Sequence, residues 1–369
     1  MKKGHATDSR LMLCGSPRPI QCTLAGDGSD LPAEHGSMRA DASDIPSSRV
    51  LVEPQAIPTS LSVPAERIAG IDRLRIVAAI GIVWFHTDGA PHREIGYAGL
   101  PMFLLIFFSL ITRQDSGSTI THFLKRRWNR LLKPWLFWSA VYGLCHLAKA
   151  MHTMDVRGLS GMFSIGTLLT GTNIHLWYLP YAFVSGLLAY ELSRRTLKAN
   201  HVLVAVMATV IGMLALAACA IGTAIYRLPN PIAQWEFGLA TIPLGFAIGR
   251  CLAIPSRSLQ KILLAGISLG ILIEGRILQS LNLSALVIPY GIAVVSICIA
   301  YCWETRKDII TTALAPLTFG IYLIHPLVIF ALQHCLSPSR SWCLFISLTV
   351  CISAMITLVL MKTPIKRFL

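Results

Sequence analysis

The sequence is short of charge. Only 14% of its 369 residues are Asp, Glu, Lys or Arg, and 54% are apolar, whereas soluble proteins carry about 25% charged residues. That excludes an ordinary soluble globular chain. It also lacks any Cys-x-x-Cys and any Cys/His grouping at zinc-ligand spacing, although it holds ten cysteines. Neither a disulfide framework nor a metal site follows. Most of these thiols lie within apolar runs and are expected to be reduced and buried, behaving as small hydrophobes. There is no P-loop and no Gly-x-Gly-x-x-Gly, so no nucleotide-binding loop of those kinds is expected.

What is present is a succession of apolar runs from residue 71 onward. They predict an all-α fold, a polytopic membrane bundle. The candidate helices lie at about 72–88, 97–113, 131–149, 176–193, 202–222, 233–251, 259–278, 284–303, 312–335 and 341–361, each near the length a span needs. Residues 1–66 differ. They are rich in Pro, Ser, Asp, Gly and Ala, without a sustained apolar period, and are expected to form a disordered leader. Leu11–Cys14 is too short to be the apolar region of a signal peptide, and Met38 is an alternative start. The domain division is therefore 1–66 and 67–369.

The net charge of +14 does not point to nucleic acid, because the basic residues sit mostly in short loops between apolar runs. With a cytoplasmic leader, inside loops hold Arg113, Lys125, Arg126, Arg127, Arg130, Lys133, Arg194, Arg195, Lys198, Arg250, Arg257, Lys261, Arg306 and Lys307. The tail adds Lys362, Lys366 and Arg367. Outside loops hold only Arg93, Lys149, Arg157, Arg227 and Arg340. This asymmetry predicts both termini to be cytoplasmic.

Chemistry-bearing residues stand out against this background. Gly70–His86 reads GIDRLRIVAAIGIVWFH. At about 100° per residue, Arg75 and His86 lie on nearly one helical face, about 16 Å apart along the axis, with Asp72 close to that face. Titratable groups are costly in hydrocarbon and usually face a polar interior. The stretch Thr119–Pro134 reads TITHFLKRRWNRLLKP. It suits an amphipathic interfacial helix and equally an anion site, since Arg127 and Arg130 are three residues apart and two guanidinium forks suit phosphate. Arg126 adds to that charge. His175 and Trp177 stand at a helix mouth, where an aromatic belt would also place Trp. Tyr322 and His325 share a face three residues apart. The Gly245-x-x-x-Gly249 and Gly266-x-x-x-Gly270 pairs suggest close helix packing.

Five of these stretches together resemble the membrane acyltransferase 3 family. Gly70–His86 is similar to its first-helix signature, with ten residues between Arg and His, and KRRWNRLLKP (Lys125–Pro134) to its basic Arg-x-x-Arg stretch. HLWYLP (His175–Pro180), PLGFAIGR (Pro243–Arg250) and LTFGIYLIHP (Leu317–Pro326) resemble its later motifs, in the same order. Thr318 stands where Ser is usual, and the Glu that many polysaccharide-modifying members carry after the Trp is missing until Glu191. The resemblance implies a multi-pass enzyme of the bacterial inner membrane that moves an acyl group, usually acetyl, from cytoplasmic acyl-CoA to a hydroxyl of a surface or lipid-linked glycan. Acyl-CoA would be a donor substrate, with no resident cofactor, and glycan-assembly proteins would be possible partners. The roles implied are His86, with Arg75 and Asp72, for catalysis; Arg127, Arg130 and Arg126 for the donor; and His175, Trp177, Tyr322 and His325 for the acceptor. Direct transfer without a covalent Ser or Cys intermediate is the simpler expectation. The composition alone leaves open a transporter or a flippase-like component of glycan export without this chemistry.

Overall fold

The computed structural model describes residues 68–113, 119–153, 166–226, 228–283, 286–303, 308–336 and 341–369. They fall within one unit, Pro64–Leu369. The expected leader and the loop residues Arg157, Arg227, Arg306, Lys307 and Arg340 lie outside the described residues.

Fifteen α-helices are described: α1 (Ala69–His86), α2 (Arg93–Tyr97), α3 (Gly99–Arg113), α4 (Ile120–Arg127), α5 (Lys133–Thr153), α6 (Gly166–Thr170), α7 (Tyr178–Arg195), α8 (His201–Ile225), α9 (Ile232–Gly238), α10 (Thr241–Cys251), α11 (Arg257–Ser280), α12 (Val287–Cys302), α13 (Ile309–Leu314), α14 (Thr318–Gln333) and α15 (Trp342–Met361). No strand occurs among the described residues. The ten apolar segments are helical over most of their described residues, and two are interrupted well inside their length. The sixth breaks between α9 and α10. The ninth breaks at Ala315–Leu317, a 3₁₀ turn containing Pro316.

Five stretches are long and apolar enough to cross a membrane: Arg93–Arg113, His201–Ile225, Arg257–Ser280, Ile309–Gln333 and Trp342–Met361. By length and composition, five of the ten expected crossings qualify among the described residues. The first apolar segment, α1, is one of those that do not qualify; its opening turns carry Asp72, Arg73 and Arg75. α8 and α11 leave large apolar side chains exposed, among them Leu203, Met207, Leu214, Ile262 and Leu269. Apolar faces of this extent suit hydrocarbon better than water.

Helix ends are written into the sequence. Asn200 accepts the N–H groups of Val202 and Leu203 at the start of α8, Ser256 that of Leu259 at α11, and Asp308 that of Thr311 at α13, supplying partners for donors no helix can pair internally. Pro101, Pro243 and Pro289 each stand third in their helices, where a missing N–H costs little.

The centre of the core is α10, buried along most of its length, packed on α3 and α8. Gly245 and Gly249 make the approach to α3 possible. A Cβ at Gly249 would lie 2.6 Å from Thr112 Cβ and 2.8 Å from the Ser109 carbonyl. The second small-residue pair differs. Nothing lies within 4 Å of a Cβ at Gly266, and Gly270 meets only the end of Met213, so the expected backbone approach occurs only at the first pair. At the end of α10, Arg250 is buried (1% exposed). It donates to the Ser193 carbonyl at 2.7 Å and to Thr196 Oγ1 at 2.6 Å, a cation held at the C-terminus of α7.

Candidate active site

The site is built on α1, which reaches both ends of it. Near its start, Asp72 accepts from Arg75 at 3.0 Å, and Arg73 pairs with Asp308 at 2.6 Å, tying α1 to the N-terminus of α13. The Thr311 N–H and side chain together with Arg73 hold the Asp308 carboxyl down to about 2. Asp72 therefore steadies Arg75 through the i, i+3 pairing expected on a helix.

Arg75 lines a cavity of about 510 Å³ together with Arg127, Asn129, Arg130 and Arg367. Four arginines from three separate parts of the chain line it. α4 leads into a wider π turn, Trp128–Leu132, a local geometry often found at functional positions. Arg127 stacks over Phe107 and Phe123, its guanidinium carbon 4.7 and 5.0 Å from their ring centres. Its Nε is buried with no partner. Burial, and then the neighbouring Arg126 and Arg130, push its guanidinium down to about 10, so it remains charged at neutral pH. Such a cluster suits a polyanion with several phosphate oxygens. Arg126 is exposed and does not line the cavity. Phe123, under the Arg127 guanidinium, is buried against Tyr190, while Trp128 stays exposed.

At the other end of α1, His86 lines a second cavity of about 270 Å³ with Phe85, Tyr97, His175, Trp177 and Tyr322, among others. His86 and His325 lie 5.2 Å apart between ring centres, and His325 and His175 lie 5.7 Å apart. Three imidazoles from α1, the 3₁₀ turn Ile174–Trp177 and α14 thus converge. Tyr142 packs edge-on against His175 at 4.8 Å, and the Tyr322 hydroxyl donates to the His175 carbonyl. Both ring nitrogens of His175 are buried, with the Leu323 backbone as the polar group nearest to them.

The local sequence of α14 explains how His325 is set. Pro326 has no N–H, so the carbonyl of Tyr322, four residues earlier, loses its helical donor. His325 Nδ1 takes that place, 2.7 Å from the Tyr322 oxygen. Because a carbonyl only accepts, Nδ1 must carry the proton, which leaves Nε2 with its lone pair. Nε2 is buried and unpartnered. A Tyr-x-x-His-Pro sequence therefore orients an imidazole and selects its tautomer.

Between the two cavities lies a neck of about 30 Å³, room for little more than one water. It is lined by Ile82, Leu100, Phe103, Tyr178, Phe319 and Tyr322. Ile82, Leu100 and Tyr322 also line the histidine cavity. Phe103, Tyr178 and Phe319 also line the basic one. Basic cavity, neck and histidine cavity thus follow one another.

The acyltransferase 3 family model, described as an acyltransferase domain, matches residues 68–361. The chain belongs to the acyltransferase 3 family. Neither the curated proteins nor the solved structures compared with it give a match. Membership makes the molecule a multi-pass membrane acyltransferase and locates the two cavities within the acyltransferase domain, although Arg367 lies beyond the matched residues.

Of the residues singled out from sequence, the structure brings His86, His175, Trp177, Tyr322 and His325 to one end. It brings Arg75, Arg127 and Arg130 to the other. Sequence reasoning missed Arg367, Asn129, Tyr97, Asn230 and Gln234. Arg367 reaches the basic cavity because the tail folds back: Phe368 stacks on Phe137 at 4.5 Å, and its carbonyl accepts from Trp138 Nε1 at 3.0 Å. No local periodicity signals that return. The sequence also contains one Gly-x-Ser-x-Gly, Gly266–Gly270. It is no nucleophile elbow, which needs a strand-to-helix turn, because Ser268 lies mid-way along α11 and donates to the Leu264 carbonyl at 2.9 Å.

Proposed function

We propose that this acyltransferase takes an acyl group, acetyl in the first instance, from cytoplasmic acyl-CoA and passes it to a hydroxyl of a surface or lipid-linked glycan on the other side of a bacterial inner membrane. The observation that carries the reading is the file of basic cavity, neck and histidine cavity along α1. The phosphates of CoA would be held by Arg75, Arg127, Arg130 and Arg367. The thioester arm would lie along the neck, past Tyr178 and Phe319, whose rings must turn aside to admit it. The acceptor would enter from the histidine end. The loop-charge asymmetry supports the same orientation, since the elements counted as cytoplasmic supply the arginines and those counted as outside supply Tyr97, His175 and Gln234.

In this reading His86 is the general base. It takes the proton of the acceptor hydroxyl as that oxygen attacks the thioester carbonyl carbon. The new C–O bond forms, the C–S bond breaks, and the imidazolium returns the proton to the departing CoA thiolate. His325 packs beside His86, ring centres 5.2 Å apart, and His175 packs beside His325 at 5.7 Å. No step needs an oxidant or a covalent enzyme intermediate. The experiment supplies labelled acetyl-CoA to membranes containing the full chain. Label appearing in an alkali-labile ester of the glycan or lipid-linked sugar fraction, and absent with His86→Gln, supports the proposal. A chain that binds acetyl-CoA and labels no fraction refutes it.

A further inference from the structure

Acyl transfer needs a base, and it needs a donor for the negative charge that develops on the thioester carbonyl oxygen. Arg75 cannot be that donor beside His86. It stands eleven residues earlier, about 16 Å away along α1, and lines the basic cavity. Most donors around the histidine cavity are committed elsewhere. The Tyr322 hydroxyl donates to the His175 carbonyl, and His325 Nδ1 to that of Tyr322. Gln234 Nε2 donates to Asn230 Oδ1 at 2.6 Å, and Asn230 is open to water. Arg93 holds the Phe85 carbonyl at 2.7 Å and Asp88 at 3.3 Å.

Tyr97 differs from all of these. It lines the cavity and is only partly buried. Its hydroxyl has no hydrogen-bond partner among the described residues and is not sealed from solvent. The local sequence sets it close to His86. A Cβ at Gly96 would lie 2.7 Å from the Gly81 carbonyl oxygen and 2.9 Å from the Phe85 nitrogen. A Cβ at Gly81 would lie 2.8 Å from the Gly96 carbonyl oxygen. The two glycines therefore let α2 lie backbone against backbone on the final turns of α1. The next residue, Tyr97, packs its ring on Phe85 and Phe237, with 4.4 and 4.6 Å between ring centres. Phe85 in turn lies edge-on to His86 at 5.1 Å. A donor fixed by packing needs no reorganisation when charge develops. The Trp177 indole also lines the cavity, but its ring contact is with Tyr181 at 5.4 Å, not with the Phe85–His86 pair.

Resting on the acyl-transfer reading, we propose that Tyr97 is a catalytic residue whose hydroxyl donates to the thioester carbonyl oxygen as it becomes an oxyanion. The acceptor oxygen attacks the carbonyl carbon and gives its proton to His86. The π pair of the C=O bond moves onto oxygen, where the Tyr97 O–H meets it. As that pair returns, the C–S bond breaks, its electrons leave with sulfur, and His86 passes the proton to the thiolate. Tyr97 keeps its own proton throughout.

The test measures label transfer from acetyl-CoA by the full chain in membranes, with the glycan and lipid-linked sugar fraction of the host cells as acceptor. Acetyl-CoA affinity is measured in parallel on the purified protein. Y97F keeps the ring and its packing and removes only the donor. It should lower kcat by about 10²–10³-fold, the usual cost of losing one oxyanion donor. KM for the sugar fraction and acetyl-CoA affinity should not change, because the bond matters only in the transition state. Wild-type kcat in Y97F, a raised KM at unchanged kcat, or lost acetyl-CoA binding each overturns the proposal while the acyl-transfer reading stands. A loss of kcat confined to W177F overturns it too and puts the donor at Trp177. A wild-type chain that binds acetyl-CoA and labels nothing overturns both.

Discussion

The basic and histidine cavities stand at opposite ends of one helix and differ in every property that matters for a ligand. The basic cavity is about twice as large and is lined by four arginines, of which Arg75 is paired with Asp72. The histidine cavity is smaller and aromatic, and it keeps several buried polar atoms without partners. A polyanion is bound by strength of charge, which tolerates looseness. A reacting hydroxyl must be placed, which requires shape and a few directed hydrogen bonds. The division suggests that affinity for the donor and the rate of chemistry can be altered separately.

The largest separation is expected at His86. His86→Gln keeps the size and much of the hydrogen bonding but cannot take a proton at neutral pH. Transfer should fall by about 10²–10⁴-fold with acetyl-CoA binding intact, measured by label transfer and by equilibrium binding on the same preparation. His325→Gln is the control. If it abolishes transfer while the His86 variant retains most turnover, the base is His325, whose Nε2 keeps its lone pair because Nδ1 carries the proton.

The converse belongs to the basic cavity. Arg127→Ala or Arg130→Ala should each weaken acetyl-CoA binding by about ten- to a hundredfold, as expected for losing a charge-assisted contact of about 1.5–3 kcal/mol. Turnover at saturating donor should be retained. Lys should rescue only in part, because it lacks the planar fork. An unchanged affinity in the double variant would mean that this segment serves only the lipid surface. Phe368→Ala should act the same way but more weakly, within about tenfold, by removing the stack on Phe137 that helps hold the segment carrying Arg367. A loss of transfer with unaltered donor affinity would instead link the tail to the histidine end.

The smallest expected effect tests the helix behind both cavities. Gly249→Ala forces a methyl against Thr112 and the Ser109 carbonyl and should destabilise the protein by about 1–3 kcal/mol, seen as a lower midpoint in thermal unfolding. Gly266→Ala meets open space and should be neutral or stabilising by up to about 1 kcal/mol. Equal losses at the two positions would contradict the packing described for α10.

Much of this was legible before any coordinates. The run of apolar segments and the shared face of Arg75 and His86 follow from local rules. Local rules did not reveal that the sixth and ninth segments break, since both remain apolar through the break. They also could not separate Gly245/Gly249 from Gly266/Gly270, because the same spacing occurs whether or not a neighbour is near. Arg250 and Arg367 both read as loop charges. One is buried as a helix cap and the other lines a cavity, and these fates depend on partners 57 and 230 residues away, Ser193 and Trp138.

By itself the sequence determined an all-helical membrane chain of the acyltransferase 3 family and one helix with a cation at one end and an imidazole at the other. Those properties depend on composition, helical period and short motifs, which act over a few residues. The tertiary structure alone decided that His175 and His325 join His86 and that Arg367 joins Arg127 and Arg130. Each of these depends on where helices remote in the chain come to rest, and that is set by packing such as the glycine-mediated contact of α10 with α3, which no residue specifies alone.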